Sequence, residues 1–347
     1  MIQIDSLTVK IPVDNIVSLN DKVFETNKKS FLIPDTDCLR EIETKKINES
    51  VKKPLGLNSI YTNNHTVDFQ VSAKILKDGY FDMINLNTLD RLESEINNSG
   101  FIKIKKDSLY NDGICQKADL TKNLKMTKPI PEYITALESF DIHNRHYETK
   151  QYKNEGIVFQ KEVKTRNLRD RFILYDKKPE LIKDTKLLEY INPKQFDGIL
   201  RFENNLRSNS MFRRLIKVNH TGNISLKEVL ESKENPCLEN FKNVFGKNPV
   251  KPIQTSFYDN KLFGIVNSVK LKGKQKEKRI GILGIVEFFN YNLNSIKTYL
   301  ESNYITRVQR YRKFVEYRNF IKEIKNTDVR ISENKYISEI IHALETA

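Results

Sequence analysis

Residues 2–12, "IQIDSLTVKIP", alternate apolar and polar side chains, the period of a half-buried strand. Residues 15–64 are polar, rich in Asn and Lys, and carry no clean period. Alternation returns in "TVDFQVSAKIL", where Val67, Phe69, Val71 and Ala73 share one face of a predicted strand. "NTLDRLESEINNSG" places Leu89, Leu92 and Ile96 at helical spacing, with Gly100 as a stop. "FIKIK", "GICQKADLTKNL", "GIVFQKEV", "RFILY" and "DGILRFENNL" read as strands. Between them "PEYITALESF", "KPELIKDTKLLEYI" and "SNSMFRRLIKV" read as helices, the last capped by Ser208 or Ser210.

This order predicts an α+β fold, a mostly antiparallel sheet with flanking helices. The texture changes near residue 222. "SLKEVLES" carries a capping-box pattern, Ser225 to Glu228. The basic run "KLKGKQKEKR" reads as a loop, and everything from residue 280 onward reads as helix. The expected division is a sheet-based domain over 1–222 and a smaller, helical, basic domain over 223–347.

Charge changes the picture next. The formal net charge is +14, which points to a polyanionic partner, nucleic acid or an acidic membrane surface. The longest apolar stretch, around "RIGILGIVEFF", is too short to span a bilayer, so no membrane is expected. Cys38, Cys115 and Cys237 lie far apart without zinc spacing, which suggests reduced thiols in a cytoplasm. The positives concentrate in "YITRVQRYRKFVEYRNFIKEIK", with Arg307, Arg310, Arg312, Lys313, Arg318, Lys322 and Lys325. Phe314, Tyr317, Phe320, Ile321 and Ile324 give the same segment an apolar stripe suited to a core. Its cations can track a phosphate backbone, or simply be a solvated face.

Three stretches carry candidate chemistry. "RFILYDKKPEL" delivers Tyr175 to a strand end, with Lys177, Lys178 and Arg171 around it. A tyrosine hydroxyl can attack a DNA phosphodiester and hold the strand covalently, with nearby cations offsetting charge on the phosphate. By residue type alone the plainer reading is a tyrosine half-buried at a strand end. In "ILRFENNLR" the face of Ile199, Arg201, Glu203 and Asn205 turns away from Leu200 and Phe202, and Glu203 could hold a divalent metal. In "CQKADLTKNL" Asp119 could be a second metal carboxylate. The plainer readings are an Arg201–Glu203 surface pair and a solvated aspartate. His143 and His146, in "HNRH", do not have the paired spacing on a strand that many nicking enzymes use, so carboxylates would carry any metal.

The order of these stretches resembles the gene II / gene X family of replication proteins of filamentous phages and related plasmids. The shared elements are the opening "IDSLTVKIP", the "SAKIL" element with Gly79, and "CQKAD" ending in Asp119. They continue with "Y-x-K-x-x-E-L" at Tyr175, Lys177, Glu180 and Leu181, and "L-R-F-E" at Leu200–Glu203 followed by Arg207. The likeness spans roughly residues 1–217. Lys117 and Ala118 stand where that family tends to show Arg and Ile.

The resemblance implies a nickase and ligase that starts rolling-circle replication, with Tyr175 as nucleophile. It would take the 5′ phosphate and release a 3′ hydroxyl to a host polymerase, with a host helicase as a further partner, in the cytoplasm of a bacterial host. Lys177 would steady the phosphate, and Mg²⁺ (or Mn²⁺) would be the ion, with Asp119 and Glu203 as its expected ligands. Origin DNA, duplex and single-stranded, would be met by Arg201, Arg207, Arg307, Arg310, Arg312, Lys313 and Arg318. The alternative is a DNA-binding regulator of replication that occupies the origin without cutting it.

Overall fold

The computed structural model describes residues 1–32, 39–139, 147–152, 155–161, 171–245, 273–289, 291–304, 306–326 and 335–346. The strands are β1 (Gln3–Pro12), β2 (Ile16–Leu19), β3 (Phe24–Leu32), β4 (Leu39–Ile47), β5 (Leu57–Thr62), β6 (Thr66–Ser72), β7 (Ile102–Ile104), β8 (Ile114–Lys125), β9 (Tyr147–Tyr152), β10 (Gly156–Lys161), β11 (Arg171–Asp176) and β12 (Ile199–Leu206). The helices are α1 (Leu89–Asn97), α2 (Ser108–Asp112), α3 (Ile130–Ser139), α4 (Lys177–Ile182), α5 (Asn209–Ile216), α6 (Leu226–Glu231), α7 (Pro236–Phe245), α8 (Lys274–Phe288), α9 (Leu293–Asn303), α10 (Arg307–Asn326) and α11 (Lys335–Thr346).

Ten strands form one sheet in the order β3-β4-β5-β6-β1-β8-β12-β11-β10-β9, and β2 pairs with β7 apart from it. Every pairing is antiparallel. The fold is therefore α+β with a large antiparallel sheet and flanking helices, as the alternation of periods implies.

Period-2 alternation sorts the central strands into two faces. Leu124 of β8, Phe159 of β10, Phe172 and Leu174 of β11, and Leu200 and Phe202 of β12 turn to one side. There they pack with Tyr133 of α3, Phe241 and Phe245 of α7, and Ile340 and Leu344 of α11. The Phe172 and Phe202 rings stack nearly parallel with centroids 5.0 Å apart, and burying each ring contributes about 1.5–3 kcal/mol. Helices on both sides of residue 222 thus share one core with the sheet. A separate cluster joins α8, α9 and α10 through Leu283, Val286, Ile296, Leu300, Tyr317, Phe320 and Ile321.

Several elements depart from the pattern-based expectation. Residues 15–64 hold β2 to β5, and β3 and β4 form a long hairpin at the sheet's edge. Most of the side chains of β3 are exposed, so neither face needs apolar residues and no period shows. "TVDFQVSAKIL" is not one strand: β6 stops at Ser72, and Ala73–Asp82 turns into a 3₁₀ segment broken at Lys77, whose φ is 56°. "KPELIKDTKLLEYI" divides into α4 and a 3₁₀ turn at Leu187–Glu189. Within "KLKGKQKEKR", Lys274 to Arg279 form the first turns of α8 rather than a loop, as good helix formers following Gly273 do. Ser208 and Ser225 cap α5 and α6 as their spacing predicts. Among the described residues no helix is long and apolar enough to cross a membrane.

Candidate active site

The sheet face opposite the aromatic core carries the candidate chemistry. Register fixes which side chains meet there. Tyr175 on β11 pairs with Arg201 on β12, and Arg201 in turn with Asn123 on β8. Glu203 pairs with Thr121, and Asn205 with Asp119. Directly paired residues share a face, so Tyr175, Arg201, Glu203, Asn205 and Asp119 all project to one side.

Two local devices complete the site. Asp176 ends β11 and caps α4, its side chain accepting from the Lys178 N–H. The chain therefore turns into helix at Lys177, and the Lys177 ammonium donates to the Tyr175 hydroxyl at 3.1 Å and to Glu180 at 3.2 Å. The charged segment after the strand is thus a helix start that brings a cation back over the tyrosine. The second device is a register shift in β1 between Ile4 and Ser6, which pair with the consecutive residues Leu120 and Asp119. Asp5 is the extra residue of this bulge, and bulges re-aim side chains. Its carboxylate accepts from Arg201 Nη1 at 3.2 Å.

The resulting network is dense. Tyr175 donates its hydroxyl to Glu203 Oε1 at 2.6 Å. Arg201 donates to Asn123 at 2.9 Å through Nε and to the Tyr80 hydroxyl at 3.0 Å through Nη1. Tyr80 comes from the 3₁₀ segment after β6, and its ring lies under both Arg201 and Lys177. Tyr152 of β9 packs its ring on Tyr175 with centroids 5.1 Å apart. Gly156, opposite Tyr175, is required by close approach: a Cβ there would lie 2.4 Å from the Tyr175 Cβ and from the Leu174 carbonyl oxygen.

Burial sets the electrostatics. It pushes the Glu203 carboxyl up to about 7, with the neighbouring Asp5 charge adding to the rise. Burial also works against the Asp5 charge, but Arg201, Lys177 and Lys74 together outweigh it and hold Asp5 below its usual value. Burial, and then the Glu203 charge, push the Tyr175 phenol well above 10. Burial raises Asp119 too, against the pull of Arg207. A carboxylate short of positive charge, beside a phenol donating to it, can accept that phenol's proton. The same pair can equally be a fixed structural hydrogen bond.

The expected site residues fall into three groups. Tyr175, Lys177, Arg201 and Glu203 come together as one network. Asp119 is a diagonal neighbour of Glu203, held by Asn205 at 2.7 Å and by Arg207 at 3.1 Å. Arg307, Arg310, Arg312, Lys313 and Arg318 lie on α10, outside this network. Arg201, expected to contact DNA, has 0% of its surface exposed, because Tyr80, Phe196 and the paired strands enclose it. Its Nε and Nη1 are taken up by Asp5, Tyr80 and Asn123, while Nη2 is buried without a hydrogen-bond partner among the described residues. Nor is it a surface partner of Glu203, which stands 3.8 Å away on the same buried face. Arg207 is partly exposed and paired with Asp119.

Sequence reading missed Asp5 and Tyr80. For Asp5 a signal exists: the buried residues Ile2 and Ile4 are followed by Leu7, Val9 and Ile11, a slip of phase across Asp5–Ser6. Tyr80 follows a strand that stops earlier than its alternation suggests.

The hard oxygen donors Asp5, Asp119 and Glu203 suit Mg²⁺ in kind. The repulsion between Asp5 and Glu203 is one that a divalent ion would relieve. Among the described residues, no group of three or more His, Cys, Asp and Glu side chains is arranged as a metal site. His143, His146 and Cys38 lie outside the described residues. Cys115 and Cys237 are buried free thiols.

The sequence matches no family model. Comparison with curated proteins and with solved structures returns no match either.

Proposed function

We propose that the protein cuts and rejoins a DNA strand through Tyr175, in the manner of a rolling-circle replication initiator. The observation that carries this reading is the hydroxyl of Tyr175 held between a proton acceptor, Glu203 at 2.6 Å, and a cation, Lys177 at 3.1 Å. In the proposed step the Tyr175 oxygen forms a bond to phosphorus and the bond from phosphorus to the 3′ oxygen breaks. The tyrosine proton passes to Glu203, and the 3′ oxygen leaves and takes a proton from solvent. Lys177 offsets charge at the phosphate. Asp5 keeps Glu203 basic by its charge, and Arg201 keeps Asp5 ionised. Mg²⁺, were it bound, would polarise the phosphate, and Asp119 is the carboxylate of this face left out of the proton transfer.

Tyr175 is 1% exposed. Cleavage therefore requires DNA binding to displace the Tyr152 ring that packs on it. The same burial favours a second reading, an origin-binding regulator in which this network is structural. Tyr175→Phe separates the two. It removes only the hydroxyl, so the expected result is loss of DNA cleavage with DNA affinity unchanged. Full cleavage by that variant would overturn the first reading, and absence of cleavage by the unmodified protein on its cognate origin with Mg²⁺ would favour the second.

A further inference from the structure

The two sides of α10 differ in kind. Phe314, Tyr317, Phe320 and Ile321 turn inward to α8 and α9. The two acids of the helix's central and later turns, Glu316 and Glu323, lean to the flank, where Lys278 and Arg279 of α8 pair with them. Lys313 joins Glu316 at 3.3 Å. Those contacts take up the two acids and leave the side shared by Arg307, Arg318 and Lys322 without a carboxylate among the described residues. On a helix of 3.6 residues per turn, Arg307, Tyr311, Arg318 and Lys322 fall within about 60° of one another and span roughly 22 Å of axis. All four are exposed; Arg312 is exposed too but lies about 80–140° farther round, one turn before Glu316. Among the described residues none of these cations is in an ion pair. Tyr311 stands in the middle of them, 67% exposed, with no ring or hydroxyl partner among the described residues.

We propose that this face is a docking surface for single-stranded DNA, with the Tyr311 ring as a stacking platform and Arg307, Arg318 and Lys322 as phosphate contacts. A row of unpaired cations asks for a polyanion. A large exposed ring among them selects one whose bases are open, because an unpaired base offers its flat face and a duplex does not. An anionic membrane fits less well: among the described side chains of this helix only Val308 and Tyr311 are large, apolar and exposed, too few for an interfacial apolar face. The inference goes beyond the cleavage reading and does not need Tyr175 to react, since binding is read without metal and without cutting.

The test uses the full chain, a fluorescent oligothymidylate of about 20 nucleotides, longer than the usual single-strand site, a duplex of equal length, and vesicles of anionic phospholipid. Tyr311→Ala is expected to weaken single-strand binding roughly tenfold, the worth of one base stack, and to leave duplex binding unchanged. Tyr311→Phe is expected to bind like the unmodified chain, because stacking needs the ring and not the hydroxyl. Arg307→Ala, Arg318→Ala and Lys322→Ala should each reduce the slope of log affinity on log salt by about 0.7. These residues are exposed, so an unchanged thermal melt checks that folding is intact. Wild-type single-strand affinity in Tyr311→Ala, equal losses on single strand and duplex, or Tyr311-dependent binding to the vesicles would each overturn the proposal. Tyr175→Phe in parallel keeps the two ideas apart: single-strand binding that survives it and falls with Tyr311→Ala supports the surface, whatever becomes of cleavage.

Discussion

Arg201 and Arg318 carry the same guanidinium in opposite surroundings. Arg201 sits in an interior strand of the sheet with no exposed surface, fixed by Asp5, Tyr80 and Asn123. Arg318 is exposed on α10, with no ion-pair partner among the described residues. In the first place charge is balanced locally, because an unpaired ion in a low-dielectric interior costs several kcal/mol. In the second, water already solvates the charge, so imbalance costs little and is available to a partner. Buried charge in this protein shifts its neighbours; exposed charge is free for a partner, the use proposed above for α10. A list of basic residues read from sequence mixes the two.

The largest expected effect is on chemistry at the buried network. Tyr175→Phe should lower DNA cleavage by a factor on the order of 10⁴ or more, as loss of a nucleophile does, measured by single-turnover cleavage of labelled origin DNA. Next is stability. Arg201→Ala leaves Asp5 buried without its main cation and should cost about 3–5 kcal/mol, read from the urea midpoint. A loss below 1 kcal/mol would break the contrast drawn between the two arginines. Gly156→Ala forces a methyl against Tyr175 and the Leu174 carbonyl and should cost about 1–3 kcal/mol. Alanine at Arg318, by contrast, should change stability by less than about 0.5 kcal/mol.

The pH dependence sharpens the same comparison. Glu203 takes up a proton near pH 7 in the folded chain and near 4.5 when unfolded. Between these values the folded chain holds the extra proton, so the stability contributed by this group falls as pH rises from about 4.5 to about 7 and is fully lost above. Glu203→Gln should flatten that part of the stability profile. An unchanged slope in that variant would show that Glu203 is not the titrating group.

Much of this was legible beforehand. The faces of β12 follow from parity alone, which put Arg201 and Glu203 on one side and Leu200 and Phe202 on the other. Tyr175 could be placed at a strand end, and the Ser225 capping box read directly. What parity could not say is that both sides of β12 are covered, since the lid over Arg201 comes from Tyr80, distant in sequence, and from Phe196 in the turn just before β12. Asp5 was hidden by assuming unbroken alternation through β1. The β3–β4 hairpin escaped because an edge exposed on both faces has no hydrophobic period. The cationic face of α10 was visible as a run of Arg and Lys. The flank pairing of Glu316 and Glu323 with α8 was not, since Lys278 and Arg279 read as part of a loop.

The most direct measurement is a covalent one. Supercoiled DNA carrying the cognate origin is incubated with the full chain and Mg²⁺, denatured, digested and analysed by peptide mass. The expected result is a nicked circle with a nucleotide attached to the peptide containing Tyr175. DNA that is bound yet stays closed and free of protein, or an adduct on another residue such as Tyr147, Tyr152 or Tyr304, would contradict the central claim.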